Sequence, residues 1–315
     1  KAHIAEVVEN LKEQMGTQRD RLFLVGGSWR AIARIDMERR GYPLKVQHEY
    51  RMSVKAVRAT AKYIEEADLQ ELRQACGISG SRMALVPYAA EVLSRLVKSF
   101  KPRDIAISSY GIREGLLFEQ MPQALKDRDP LIEACRFAES KDARLPGFGL
   151  LLYHFVLPLF PRADANRKRL IKAACLLHDV SWRAHPDYRA EVCFENTTRA
   201  NLGGLRHSER VFLGHALMSR YSKRRPAARY RELFDLIDDQ QRKDAEILGR
   251  AMRFGAMLVV RKDREIGTLK WHPRNKVLLL KLDKTTAPMF TETAEARFKS
   301  LCDALDAEGT MRISR

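Results

Sequence analysis

The chain has 315 residues, of which 45% are hydrophobic and 31% are charged, a balance typical of a folded globular protein and not of a disordered one. No apolar run reaches the roughly 18–20 residues that a membrane-spanning helix needs, so the sequence predicts no membrane partner. The net charge of +17 predicts polyanionic partners. The first 120 residues contain 20 basic and 15 acidic side chains, and the remainder 37 and 25, so most of the excess lies in the second part.

The five cysteines are scattered and form no Cys-x-x-Cys pair, which predicts free thiols in a reducing cytoplasm and neither disulfides nor a zinc site. The chain opens with KAHIAEVVENLKEQM, in which apolar residues recur at helical spacing from the fourth residue onward. Because an amphipathic helix begins at once, without an initiating Met or a targeting pattern, we expect these residues to be part of a longer protein.

Residues 1–122 alternate between strand and helix patterns. Two short apolar runs, Arg21–Val25 and Asp104–Ser109, are each followed by a glycine turn and then by a helical pattern. Between them, Ser53 and Asp68 each precede a helical pattern, and Met83–Phe100 predicts a longer helix that ends at Lys101-Pro102. Strand, glycine turn and helix, twice over, predict an α/β domain with a partly parallel sheet.

After Pro122 the pattern becomes almost entirely helical. Residues 123–262 contain a series of amphipathic segments, such as LIEACRFAES and RHSERVFLGHALMSRY, and predict an all-α domain. Residues 263–315 predict a small α+β tail: TLKWH and KVLLLKL form a hairpin, a helix runs to Gly309, and TMRIS is a last strand.

The first candidate site is the segment VGGSWR. Gly26 and Gly27 allow a tight turn, so that backbone N–H groups at the start of the next helix can face an anion. Ser28 can cap that helix or bond a phosphate oxygen, and Arg30 carries donors suited to phosphate. On its spacing alone, this segment is better explained as a plain strand-to-helix turn, because Gly-Gly-Ser is a common sequence.

The second candidate segment is ISSYGIREGLL. It also contains the end of a predicted strand, a glycine turn and the start of a helix, at which Arg113 and Glu114 lie. Taken together, the two segments and GISGSRMALVPYAAEVL, which contains Arg82, resemble in order and separation three motifs of the exopolyphosphatase and guanosine-pentaphosphate phosphohydrolase (Ppx/GppA) family. The resemblance implies a partial actin-like, or ribonuclease H-like, subdomain whose cleft holds a phosphate chain. It places Gly26, Gly27, Ser28, Arg30 and Arg82 at that cleft, and Arg113 and Glu114 in cleft or hinge support.

The same resemblance implies residues that are not found in this sequence. Members of the family carry an Asp-x-Gly-Ser-Asn phosphate loop, an Asp-Ile-Gly-Gly-Gly-Ser loop and a Glu that activates the attacking water, all upstream of the segments quoted above. We therefore interpret the chain as the C-terminal portion of such a phosphatase, which uses Mg²⁺ when complete. We expect this portion to be inactive by itself, with the catalytic base outside it.

A separate motif in the helical region, LLHDVSW, contains His178 and Asp179. It resembles the His-Asp pair of HD-domain phosphohydrolases, with His154 upstream as a further metal ligand. The fourth ligand of an HD centre is missing, because Gly255 stands where an Asp is expected. We therefore predict an HD-like helical domain in which the His-Asp pair is structural. A metal-dependent HD phosphohydrolase remains an alternative.

Basic residues crowd one predicted helix and its approach: Arg162, Arg167, Lys168, Arg169 and Lys172. A second basic group consists of Lys223, Arg224, Arg225, Arg229 and Arg231. Such groups can guide a long polyphosphate through release of its counterions. No aromatic RNA-recognition motif accompanies them, so nucleic acid is not the predicted partner.

These patterns lead to one prediction with two alternatives. The predicted reaction is hydrolysis of a terminal phosphoanhydride of inorganic polyphosphate or guanosine pentaphosphate. The helical extension favours exopolyphosphatase, because shorter members of the family lack it. The alternatives are the HD phosphohydrolase and a non-catalytic polyanion-binding module, and a homodimer is left open.

Overall fold

A computed structural model describes residues 2–15, 20–223, 227–259 and 266–314. The chain divides into two compact units, residues 1–127 and 128–315. The first predicted boundary, after residue 122, lies a few residues before this division, and the second, at 262/263, lies outside the described residues. Among the described residues, no helix is long and apolar enough to cross a membrane.

The first unit is an α/β layer, as its alternating pattern predicts. Its helices and strands, in chain order, are α1 (Ala2–Met15), β1 (Arg21–Val25), α2 (Gly27–Arg39), β2 (Arg51–Met52), α3 (Val54–Glu66), α4 (Leu69–Ala75), α5 (Gly80–Met83), α6 (Val86–Phe100), β3 (Asp104–Ser108), α7 (Ile112–Gln120) and α8 (Gln123–Lys126). The sheet order is β1-β3-β2. Strands β1 and β3 are parallel, with Arg21 opposite Asp104 and Val25 opposite Ser108, and β2 is antiparallel to β3. The predicted parallel pairing is therefore confirmed.

The two strand-to-helix turns end at the same edge of this sheet, because parallel strands place their carboxyl ends together. Apolar residues of α2, α3 and α6 cover the strands and form the core, with Ile35 and Ile105 fully buried. Within this core the Asp36 carboxylate accepts hydrogen bonds from Tyr50 Oη at 2.6 Å, Thr60 Oγ1 at 2.7 Å and Arg39 Nη2 at 2.8 Å. Burial alone would raise the pKa of Asp36, but these bonds lower it below its usual value.

The second unit is mostly helical and ends in a small sheet. Its elements are α9 (Pro130–Asp142), α10 (Phe148–Val156), α11 (Ala165–Leu177), α12 (Arg189–Arg199), α13 (His207–Tyr221), α14 (Arg231–Phe234), α15 (Asp239–Gly255), β4 (Thr268–His272), β5 (Val277–Leu282), α16 (Glu292–Leu305) and β6 (Glu308–Ile313). Helix α13 is buried along almost its whole length and packs against α12 and α15, while α16 packs against α15. The predicted hairpin is confirmed as the antiparallel pair β4–β5, and β6 extends it in parallel.

Several predicted bounds were wrong by a few residues, each for a local reason. The helix predicted over Met83–Phe100 begins at Val86, since Pro87 occupies the first turn of α6 and favours a helix start there, and Met83 is the last residue of the separate helix α5. Helix α16 ends at Leu305 and not at Gly309, because Asp306 adopts a left-handed conformation with φ 52°.

Candidate functional site

The turn between β1 and α2 is built by two glycines with different roles. Gly26 has φ 132°, in a region that only glycine occupies readily, and it precedes the helix as its N-cap. Gly27 is the first helical residue, so α2 begins before Ser28, the residue that the sequence offers as its cap. Ser28 consequently lies inside the first turn and does not cap the helix. The first intrahelical bond runs from Arg30 N to Gly26 O at 3.2 Å, which leaves the preceding N–H groups without an intrahelical acceptor.

Arg82 meets the start of α2 directly. A methyl group placed on Gly27 would lie 2.9 Å from Arg82 Nε and 3.0 Å from its Cζ and Nη2. Only a residue without Cβ therefore allows the Arg82 guanidinium to rest against the helix start. The structure thus brings together the sequence segments that contain Arg30 and Arg82.

A groove of about 190 Å³ opens beside these residues, lined by Arg30, Ala31, Arg34, Gln47, Ile78 and Arg82. Three of the six lining side chains are guanidinium groups, and no carboxylate of the described residues pairs with any of them. Arg34 also donates to Gly77 O at 3.2 Å, which ties α2 to the turn after α4. An uncompensated set of planar donors next to free helix N–H groups is suited to an oxyanion such as phosphate.

Sequence reasoning did not identify Arg34 or Gln47 as site residues. Arg34 follows Arg30 by four positions, and residues at this spacing on a helix share a face. That spacing was a usable signal. Gln47 lies in the irregular segment between α2 and β2, where nothing in the local pattern indicates that its side chain donates to Arg30 O at 2.9 Å.

The second strand-to-helix turn contributes support, with no side chain lining the groove. Glu114 Oε2 accepts from Gly111 N at 2.6 Å, so the Glu114 side chain caps the start of α7. This bond, together with the charges of Arg113 and Arg30, lowers the pKa of Glu114. Arg113 is exposed. The turn reaches the groove through Ser109, whose carbonyl oxygen accepts from Arg30 Nη1 at 3.0 Å.

The His-Asp pair of the second unit is enclosed by protein contacts. His178 is buried, and its Nδ1 lies 2.7 Å from Cys175 O. Asp179 accepts from the backbone N–H of Arg144 at 3.1 Å and from its guanidinium at 2.6 and 2.9 Å, and Arg220 Nη2 lies 3.6 Å away. Burial and the charge of Arg220 hold the pKa of His178 well below its usual range.

The third residue of the proposed metal set, His154, is exposed on α10 and contacts the ring of Tyr153. In the described parts of the chain, no three His, Cys, Asp or Glu side chains are grouped so that they could hold a metal ion. The structure therefore does not bring His154, His178 and Asp179 together as a ligand set.

The predicted polyanion-guiding residues on α11 and just before it do not form one shared basic surface. The Arg167 guanidinium stacks on the ring of Phe212 at 4.1 Å, and Arg169 binds the Asp129 carboxylate and Gly204 O. Lys172 lies 5.9 Å from the centre of the Tyr153 ring. Only Arg162 and Lys168 are exposed and without such a contact in the described structure. Successive residues of a helix are about 100° apart, so three consecutive cations cannot share one face.

A basic cluster of which the sequence predicted only Lys223 lies along α15, between the end of α13 and helix α16. Arg253 Nη1 donates to Tyr221 O at 3.2 Å, and Arg250 Nη1 donates to Ser300 Oγ at 2.9 Å. Burial and the charges of Arg297, Arg220 and Arg250 lower the pKa of Arg253, and burial, Arg250 and Arg297 do the same for Lys223. We call Lys223, Arg250, Arg253 and Arg297 the second-unit cluster. Arg224 and Arg225, predicted as part of a basic group here, lie outside the described residues.

Two family models match the chain. The Ppx/GppA phosphatase family model matches residues 1–124, which hold the arginine groove, and the exopolyphosphatase C-terminal model matches residues 161–308. A comparison with curated proteins finds no match. The expectation that only a C-terminal portion is present is not supported, because the Ppx/GppA model itself covers the first unit. Together, the two matches support assignment of the chain to the Ppx/GppA phosphatase family.

Proposed function

We propose that the chain belongs to an enzyme that hydrolyses the terminal phosphoanhydride of inorganic polyphosphate or guanosine pentaphosphate. In this proposal, the groove of the chain binds the phosphates of that substrate. The observation that carries this proposal is the convergence of Arg30, Arg34 and Arg82 on one groove at the start of α2. The match of the second unit to an exopolyphosphatase C-terminal model favours polyphosphate.

The groove can neutralise a phosphate chain in two ways. A guanidinium offers two parallel N–H donors to two phosphate oxygens, and three such groups can bind adjacent phosphates. The N–H groups of Gly27 and Ser28, at the positive end of α2, add donors that cost no side-chain ordering. With a guanosine nucleotide, Arg82 would contact the base or a phosphate.

Hydrolysis also needs a carboxylate that orients the attacking water. No Asp or Glu of the described residues lines the groove, and the carboxylate of nearby Glu114 is engaged with the α7 cap. We therefore propose that residues 1–315 bind the phosphate chain without turning it over. Arg113 and Glu114 would support the hinge, with no contact to substrate.

Mg²⁺ belongs to the proposal as a partner of the phosphates. The described residues offer no cluster of three metal-ligating side chains, so we assign Mg²⁺ no protein site and no step here. The HD phosphohydrolase alternative is not favoured, because Arg144 and Arg220 already neutralise Asp179. The non-catalytic polyanion-binding alternative is favoured by one observation, the second-unit cluster. The five free cysteines are consistent with the proposed cytoplasmic location.

Binding and phosphate release, measured on the same preparations, test the proposal. Arg30→Ala and Arg82→Ala should each weaken binding of long-chain polyphosphate by about tenfold, since a hydrogen bond to a charged group contributes about 1.5–3 kcal/mol. Arg58→Ala, which removes an exposed arginine of α3 outside the groove, is the matched control and should stay within about twofold. Equal losses of affinity in all three variants would contradict phosphate binding in the groove. Phosphate release by the wild-type chain would contradict the proposed lack of turnover.

A further inference from the structure

The segment between α2 and β2 holds the backbone of the second turn. Glu49 N donates to Ile107 O at 2.9 Å and Ile107 N donates to Tyr50 O at 3.0 Å, so this segment runs beside β3. Glu49 itself has φ 60°, a left-handed conformation that is uncommon for a residue with a side chain. The two backbone hydrogen bonds to Ile107 therefore fix the position of the neighbouring His48 relative to β3.

His48 reaches Ser109, the first residue beyond the β1–β3 pairing. Ser109 N donates to His48 Nδ1 at 3.3 Å, and the ring of Tyr110 packs on the His48 ring with 4.7 Å between centres. The pairing of β3 with β1 ends at Ser108, so the strand ladder does not position Ser109. The His48 side chain holds the Ser109 backbone instead.

The carbonyl oxygen of the same Ser109 accepts from Arg30 Nη1 at 3.0 Å. A guanidinium has five N–H donors in a fixed plane, and anchoring one of them sets the direction of the others. Gln47 adds a second restraint by donating to Arg30 O at 2.9 Å. Two consecutive residues, Gln47 and His48, thus hold the backbone and the guanidinium of Arg30 from opposite ends.

We propose that His48 is a positioning residue of the phosphate groove, which acts through the Ser109 backbone to orient the Arg30 guanidinium toward the bound phosphate. The inference rests on the proposed function of the groove. For this role His48 must accept at Nδ1, so the neutral ring carries its proton on Nε2. The ring contact with Tyr110 is separable from this role, because it needs an aromatic face and no acceptor.

Three substitutions separate the acceptor from the ring. His48→Phe keeps an aromatic ring against Tyr110 and removes the acceptor, whereas His48→Asn places an amide oxygen near the position of Nδ1. His48→Gln places its oxygen farther out and serves as a second acceptor-loss variant if His48→Phe folds poorly. Thermal unfolding midpoints establish that each compared variant is folded.

The experiment measures binding of long-chain polyphosphate to the 315-residue chain and, in parallel, the NMR signal of the Arg30 side-chain Nε–H, assigned by its loss in Arg30→Ala. We expect His48→Phe and His48→Gln to weaken binding by about fivefold and to broaden the Arg30 signal, and His48→Asn to retain both properties. In the Arg30→Ala background, His48→Phe should cause no further loss, since its effect passes through Arg30.

Multiplicative losses in the double variant, equal losses in His48→Asn and His48→Phe, or an unchanged Arg30 signal in His48→Phe would each overturn the inference. Failure of the wild-type chain to bind polyphosphate would overturn the proposed function instead. In that case the Arg30 signal alone decides whether His48 positions Arg30, because it requires no ligand.

Discussion

Two sites in this chain contain residues that are typical of phosphate chemistry, and they differ in how their charges are satisfied. In the first unit, Arg30, Arg34 and Arg82 face a groove without a carboxylate partner among the described residues. In the second unit, Asp179 is buried and is bound by Arg144 and Arg220. A ligand can complete the first site, whereas a metal would have to displace two guanidinium groups from the second.

The difference shows that a motif alone does not make a site. His-Asp and Gly-Gly-Ser are comparably short sequence signals, and each fits a structural explanation. What separates them is whether their charges are already paired. A buried carboxylate with charged partners is part of the scaffold, whereas guanidiniums without a carboxylate partner among the described residues can bind an anion.

The largest expected effect tests whether the second site is scaffold. Asp179→Ala leaves Arg220, whose side chain is only 8% exposed, as a buried cation without its carboxylate. We expect unfolding free energy to fall by about 3 kcal/mol or more, measured by urea denaturation. His154→Ala, at an exposed position of the same proposed metal set, should change it by less than about 0.5 kcal/mol. Unchanged stability in Asp179→Ala, with loss of a bound metal, would reverse the comparison.

The two glycines of the first site allow a finer test. Gly26→Ala forces a side chain into a backbone conformation with φ 132°, which should cost about 1–3 kcal/mol of stability. Gly27→Ala has ordinary helical geometry, and its methyl group would push the flexible Arg82 guanidinium away from the helix start. We expect its stability to be unchanged within about 1 kcal/mol while polyphosphate affinity falls about fivefold.

Urea denaturation and a binding titration on both variants distinguish these outcomes. A Gly27→Ala variant that binds as tightly as the wild type would show that Arg82 does not act from its position against α2. A Gly26→Ala variant of normal stability would show that the turn tolerates another conformation.

Local chemistry made most of the fold predictable. Strand β1 was predicted with its observed bounds, and Ser53 and Asp68 are the N-caps of α3 and α4, because apolar runs and capping side chains act within a few residues. Strand β2 was not predicted, since its two residues depend on pairing with β3. Helix α12 lies in the region predicted to be almost entirely helical, but its bounds were not predicted. Its packing against α13 is a tertiary contact that the sequence pattern does not show.

The site was predictable where a family motif marks it and not where the fold assembles it. Arg30 and Arg82 belong to quoted motifs, whereas Gln47 reaches the groove and His48 reaches Ser109 only because the segment between α2 and β2 lies along β3. The second-unit cluster joins Lys223, just beyond the end of α13, to residues of α15 and α16 that are far apart from it in sequence. No local periodicity signals such a convergence.

The smallest expected effect concerns whether the second unit contacts a long polyphosphate. Reversing the charges of Arg167, Lys168 and Arg169 together would disturb packing on Phe212 and the bond to Asp129, so that experiment would report stability more than binding. We therefore compare Lys223→Ala/Arg297→Ala with Lys168→Ala, using long-chain polyphosphate and tripolyphosphate at several salt concentrations.

Each cation that contacts a phosphate chain contributes about one unit to the slope of log affinity against log salt concentration. The double variant should therefore lower the slope for long-chain polyphosphate by up to about two and weaken binding several-fold, with tripolyphosphate unaffected, because a short chain occupies the groove alone. Lys168→Ala should change the slope by less, since its neighbours on α11 are engaged in packing. Equal effects on both chain lengths would mean that the second-unit cluster acts on overall charge and does not contact the polyphosphate.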